Sequence, residues 1–178
     1  SSGKTTTSMR IALQLKVLGL NPRVLAMDNY FVNREDTPKD EEGNCDFESL
    51  GAMDLKLLNE QLNQLFDGKE VDIPVFNFAE GKREYRGNKM KMNPNDILIM
   101  EGIHALNPSH TASIDNRRKF KIYASALTSL SIDENNSIST TDNRMLRRMV
   151  RDNNFRGTTA EQTILRWGSV HSGEYRNI

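Results

Sequence analysis

Apolar residues along this chain fall either in helical stripes or in short unbroken runs. Ile11, Ala12, Leu13, Leu15, Val17 and Leu18 crowd one segment, which predicts a sheet-packed helix over 4–18, stopped by Gly19. Leu55, Leu58, Leu62 and Leu65 share one stripe and predict a second helix over 54–66, with that stripe in the core. A third helix is predicted over 142–155, stopped by Gly157. Thr158-Thr159-Ala160-Glu161 resembles a capping box and opens a last helix toward Trp167. Between the helices, RVLAM at 23–27 and ILIM at 97–100 read as buried parallel strands, each followed by an acid, Asp28 and Glu101. KFKIYASA at 119–126 reads as a third strand. The run at 71–78 carries Pro74, which assigns it to an edge or an irregular segment, and 80–92 reads as a hairpin-like link. The long polar stretch 31–49 is functional or disordered in a compact domain. Strands alternating with helices predict an α/β layered fold with a mainly parallel sheet flanked by helices.

Length and charge narrow the classes. A chain of 178 residues fits one domain with a substantial core. Lys plus Arg and Asp plus Glu are 24 each, which argues against wrapping nucleic acid by global charge. No apolar run nears the roughly 20 residues of a membrane helix. Cys45 is the single cysteine, so an intrachain disulfide and a cysteine-rich zinc site are excluded; the reading is a cytoplasmic protein. Cys45 has no cation nearby in sequence to make it a nucleophile, and His104, His110 and His171 are scattered, read as structural or exposed.

Three features carry chemistry. Ser2-Gly3-Lys4-Thr5-Thr6 precedes a helix and supplies the end of a phosphate-binding loop, G-x-x-x-x-G-K-[ST]. In such a loop glycine lets backbone N–H groups turn toward phosphate, and the helix N-terminus adds partial positive charge. Lys4 would reach the β- and γ-phosphates of ATP, and the Thr5 hydroxyl would ligate Mg²⁺. The loop's first glycine and its feeding strand would precede Ser1, and a last strand would follow Ile178, so the single domain over 1–178 is expected to be truncated at both ends. A bare Gly-Lys-Thr also occurs at solvated helix starts. Asp28 and Glu101 then matter, because ligands of open α/β sheets bind outside the carboxyl ends of the strands. One acid could hold Mg²⁺ and the other accept the proton of an attacking hydroxyl. Finally, Arg144, Arg147, Arg148 and Arg151 fall on one helix face, with Arg156 just beyond. They suit a lid over phosphate; a solvated basic face, or one that binds nucleic acid, is the alternative.

Six motifs in one order, spanning nearly the whole chain, resemble the uridine kinase family of P-loop kinases, in the wider group with phosphoribulokinase and pantothenate kinase. SSGKTT resembles the end of the family's P-loop, and Asp28-Asn29-Tyr30-Phe31 its D-x-[FY]-[FY] element. Asn44-Cys45-Asp46-Phe47 through Asp54 resembles N-F-D-H-P…D, and Ile73-Pro74-Val75-Phe76-Asn77-Phe78 resembles I-P-x-Y-D-F. Ile99-Met100-Glu101-Gly102-Ile103 resembles strand-E-G-I, and RMLRRMVRD at 144–152 the R-x-x-R-R-x-x-R-D lid helix. The resemblance implies ATP-dependent phosphorylation of a nucleoside 5′-hydroxyl, uridine or cytidine, with Mg²⁺. Ser2, Gly3, Lys4, Thr5 and Thr6 would bind ATP, and Thr5, Glu101 and Asp28 the metal. Asp28 would be the general base, with Lys4, Arg147 and Arg151 stabilising the transferred group. Asp28, Tyr30, Asp46, Phe76, Phe78, Arg144 and Arg156 would contact the acceptor, with Asp46 on the ribose hydroxyls. Phe76, Asn77 and Phe47 replace the family's tyrosine, aspartate and histidine. The acceptor therefore stays open to pantothenate or a sugar phosphate, or the chain is a nucleotide-binding regulatory module without turnover. The segment 152–157, with Trp167-Gly168-Ser169-Val170, resembles a bacterial branch with a threonyl-tRNA-synthetase-like N-terminal region. The family also suggests homo-oligomers.

Overall fold

The computed structural model describes residues 2–41, 43–125 and 131–170. Helix α1 spans Lys4–Val17 and leads into strand β1, Asn21–Ala26. The chain then turns through a 3₁₀ segment, Met27–Tyr30, and crosses the long polar stretch to helix α2, Leu55–Phe66. Strands β2 (Val71–Asp72), β3 (Val75–Asn77), β4 (Lys82–Glu84) and β5 (Lys89–Met90) follow, then β6 (Asp96–Glu101). Helix α3 is Thr140–Arg156 and α4 is Ala160–Leu165.

β1 and β6 pair in parallel, from Asn21 opposite Asp96 to Ala26 opposite Glu101. The acid-bearing ends of both strands therefore leave the sheet side by side. α1 packs on this pair. The excursion 71–90 is antiparallel: β3 pairs with β4, and β2 with β5. Pro74, which cannot donate to a ladder, separates β2 from β3, so the predicted edge segment is two short strands.

The leucine stripe of α2 behaves as expected. Leu58, Leu62 and Leu65 are fully buried against Leu25, Met27, Tyr30 and Phe31. Each contributes roughly 1.5–3 kcal/mol of burial. Asp54 caps the helix, its carboxylate accepting from the Leu57 amide at 2.9 Å. In α3, Ser139 caps the start and Gly157 ends the helix in the left-handed region at φ 63°.

Two expectations need correction. The predicted strand at 119–126 is not a strand over 119–125; Ala126 lies outside the described residues. A strand exists through its hydrogen-bonded neighbour, and this segment pairs with none of the described strands; it and β6 both line a 580 Å³ cavity. Its walls are largely apolar, including Ile11, Leu15, Ile97, Ile99 and Ile122. The capping box is also one residue later than read: Thr159 and Gln162 form it. Thr158 is already committed, its amide closing α3 on the Asp152 carbonyl.

Candidate active site

The site begins at the start of α1. Gly3 adopts φ 92°, a left-handed conformation that a side chain would strain, and its carbonyl accepts the Thr7 amide at 2.9 Å. Lys4, Thr5 and Thr6 thus open the helix, where backbone N–H groups lack intrahelical partners. Ser2 and Lys4 line the cavity together with Glu48 and Glu101.

The Thr5 hydroxyl donates to Glu101 Oε1 at 2.8 Å, joining the helix start to the end of β6. A hydroxyl and a carboxylate held together are the hard oxygen donors that Mg²⁺ accepts, and a Mg²⁺ site of this kind takes its remaining ligands from phosphate and water. The donor set therefore fits the ion. No cluster of three acidic, histidine or cysteine side chains suited to a metal occurs among the described residues.

Asp28 sits one strand over, half-buried in the 3₁₀ turn after β1. Arg156 Nη2 lies 3.5 Å from its Oδ2, and the same guanidinium covers the Phe78 ring at 4.1 Å. Phe78 meets Phe76 edge-on at 5.1 Å, and Phe76 meets Phe31 at 5.6 Å. Phe78 is half-buried while Phe76 is buried, so Phe78 presents the aromatic surface and Phe76 supports it.

The arginines are organised by one acid. Asp152 is 5% exposed and receives Arg151 Nη2 at 2.7 Å, Arg148 Nε at 3.2 Å and Arg156 Nε at 3.8 Å. Burial lowers the affinity of Arg148 and Arg156 for their protons, and Asp152 works against that. Arg144 lies over Trp167 at 5.9 Å and reaches the cavity lining. Arg147 is exposed; Arg148, one position on, is the arginine whose charge reaches Glu48.

Tyr30, expected at the acceptor, is in the core instead. It is 0% exposed, and its hydroxyl donates to Gln61 Oε1 at 2.8 Å. Burial pushes its ionisation far up, so it stays a neutral donor. The 3₁₀ turn after β1 aims this side chain inward at α2.

Asp46 is half-buried in the long polar stretch, its amide donating to the Pro38 carbonyl at 2.7 Å and its Oδ1 accepting from the Glu48 amide at 3.1 Å. Glu48, which lines the cavity with Ser2, Lys4 and Glu101, is a residue that the sequence did not point to. Burial raises its carboxyl to about 7, against the pull of Arg148 and Lys4, while Asp46 and Asp28 add to the rise. A glutamate two positions after Asp46 in an acidic loop gives no periodic signal to find it by.

The phosphoribulokinase/uridine kinase family model matches residues 1–177. A uridine kinase of Staphylococcus aureus strain JH9 is 30% identical over 169 residues, covering 95% of this chain and 72% of that protein. A uridine kinase of Ligilactobacillus salivarius is 29% identical, covering 99% and 74%. The solved structure of the YGR205w protein shares the fold, with a TM-score of 0.58 at 23% identity over 98% of this chain and 74% of that one. These relatives lend no support to a threonyl-tRNA-synthetase-like N-terminal region. With the family model spanning the chain and a helix-start Gly-Lys-Thr joined to a strand-end acid, the protein belongs to the phosphoribulokinase/uridine kinase family.

Proposed function

We propose that this protein is an ATP-dependent kinase that phosphorylates the 5′-hydroxyl of a nucleoside, uridine or cytidine. The observation that carries the reading is the register of β1 against β6. It sets Asp28 and Glu101 at one edge of the sheet, beside the Thr5 hydroxyl that Glu101 accepts. Ligands of such sheets bind at this edge.

The roles follow from position. Backbone N–H groups of Gly3, Lys4, Thr5 and Thr6 receive the ATP phosphates, and the Lys4 ammonium offsets their charge. Thr5 and Glu101, with Asp28 near, hold Mg²⁺, which when bound neutralises charge on the phosphates. Asp28 accepts the proton of the acceptor hydroxyl once Arg156 releases it. Asp46 takes the ribose hydroxyls, and the base lies against Phe78. Arg151 and Arg156, oriented by Asp152, approach the transferred group from the lid side. Asp46 on the acceptor side disfavours a sugar phosphate and suits an uncharged polyol. No helix among the described residues is long and apolar enough to cross a membrane. Such a kinase works where ATP is kept, in the cytoplasm.

The test is ADP release with Mg-ATP against uridine, cytidine, other nucleosides, pantothenate and sugar phosphates. Acceleration by a pyrimidine nucleoside is expected. The Asp28→Asn variant should lose turnover by at least about a thousandfold while ATP affinity stays within a few-fold. ADP release that ignores every acceptor, or an Asp28→Asn variant near full rate, refutes the reading.

A further inference from the structure

His104 and His110, scattered in sequence, are stacked in space. Their rings are parallel within 6°, with centroids 5.1 Å apart, and they are 1% and 0% exposed. His104 stands three residues after Glu101, in the turn leaving β6. His104 Nε2 lies 3.4 Å from the Phe47 carbonyl, which can only accept, so Nε2 carries the proton. His104 Nδ1 has no hydrogen-bond partner among the described residues. Burying such a nitrogen costs free energy, and a leucine–phenylalanine pair would avoid it.

The backbone around the pair is firmly tied. The His104 carbonyl accepts from Asn107 at 3.0 Å, and the Asn107 carbonyl accepts from His110 at 3.2 Å. The His110 carbonyl accepts from Asn59 of α2 at 3.2 Å, and Asn59 Oδ1 accepts from the Ser113 hydroxyl at 2.8 Å. The turn is thus a rigid bracket between β6 and α2, and the His104 N–H is the arm that leaves it. That arm ends on the residue next to Asp46. Burial and His104 together hold His110 down to about 4, so His110 is neutral at ordinary pH and does not repel the arm's ring.

We propose that His104 is a positioning residue: its Nε2–H holds the Phe47 carbonyl and so places Asp46 against the acceptor's hydroxyls, with His110 stacked behind it to fix the ring. This rests on the reading of Asp46 as the acceptor-side acid. It links the acceptor loop to the strand that ends in Glu101, so acceptor and phosphate sides share one support. ATP, bound at α1, does not depend on this arm.

Two variants test it. His104→Phe keeps the ring and the stack but loses the donor. His104→Gln keeps an amide N–H at about the reach of imidazole Nε2. For His104→Phe we expect the nucleoside KM to rise about tenfold, the loss of one hydrogen bond's worth of placement, with the ATP KM within twofold. His104→Gln should recover most of it. In parallel, amide exchange of Asp46, Glu48 and Ser49 should quicken in His104→Phe without any substrate present. An unchanged exchange rate at these amides, or ATP and nucleoside KM rising together, overturns the proposal. If the wild-type protein phosphorylates no nucleoside, the functional reading fails and amide exchange alone decides the positioning role.

Discussion

Replacing Glu48 with glutamine is expected to stabilise the protein at alkaline pH and leave it nearly unchanged in acid. The carboxyl is half-buried, with Arg148 and Lys4 pulling it toward ionisation and Asp46 and Asp28 opposing. Burial outweighs the cations, and the group moves from 4.5 to about 7. The folded state therefore binds this proton more tightly than the unfolded chain does. The stabilisation is complete below the unfolded value and is lost as pH rises through about 7. The glutamine of the variant mimics the protonated form at every pH, so the difference between the two proteins isolates this one group. That difference should open from about 1 kcal/mol near pH 5 to about 3 kcal/mol above pH 8, with the variant the more stable. Urea unfolding midpoints of both proteins, measured across that range, read it directly. A gap that stays flat with pH would show that Glu48 is solvated. A gap of opposite sign, with the wild-type protein gaining as pH rises, would show that Arg148 and Lys4 win over burial. Either result refutes the reasoning.

Asp152→Ala leaves three guanidinium groups packed without their shared anion, and should destabilise the protein by about 3 kcal/mol, as breaking a buried pair does. Thermal unfolding reads the loss, and added phosphate should restore part of it. Tyr30→Phe strands the buried Gln61 oxygen and should cost about 1–2 kcal/mol in urea unfolding. The nucleoside KM should not change, because Tyr30 is core; a large rise in KM would return it to the acceptor site. Gly102→Ala places a methyl 2.8 Å from Met27 Cβ, closer than packed atoms tolerate, and should cost about 1–3 kcal/mol while loosening the end of β6. A variant as stable as the wild-type protein would mean that this turn yields easily.

The parts of the fold that follow a period were legible. α1, α2 and α3 appear within a residue or two of the predicted ranges; α2 buries its leucine stripe, and α2 and α3 carry side-chain N-caps, whereas α1 opens on Gly3 without one. Asp28 and Glu101 were legible as the acids that close two apolar runs, although the strands expected to be buried are only partly so, β1 exposing Asn21 and Arg23 and β6 half-buried throughout. What no period encodes was not. Tyr30 turned inward because a 3₁₀ turn, not a strand, follows Ala26, which rotates the aromatic onto α2. The 119–125 segment had the composition of a strand, yet a ladder needs a partner and composition cannot name one. Glu48 and the His104–His110 stack meet the site only through the fold of a loop and a turn, from residues about 60 apart in chain order. On the proposed function, this divides the site by how it is held. The phosphate side rests on a sheet register and a helix start, where a one-residue slip would invert every side chain of a strand. The acceptor side rests on single hydrogen bonds to loop carbonyls and on aromatic edges, each worth only about 1 kcal/mol. In that reading, Phe76 and Asn77 in place of tyrosine and aspartate would retune the acceptor while Lys4, Thr5, Asp28 and Glu101 keep their proposed roles.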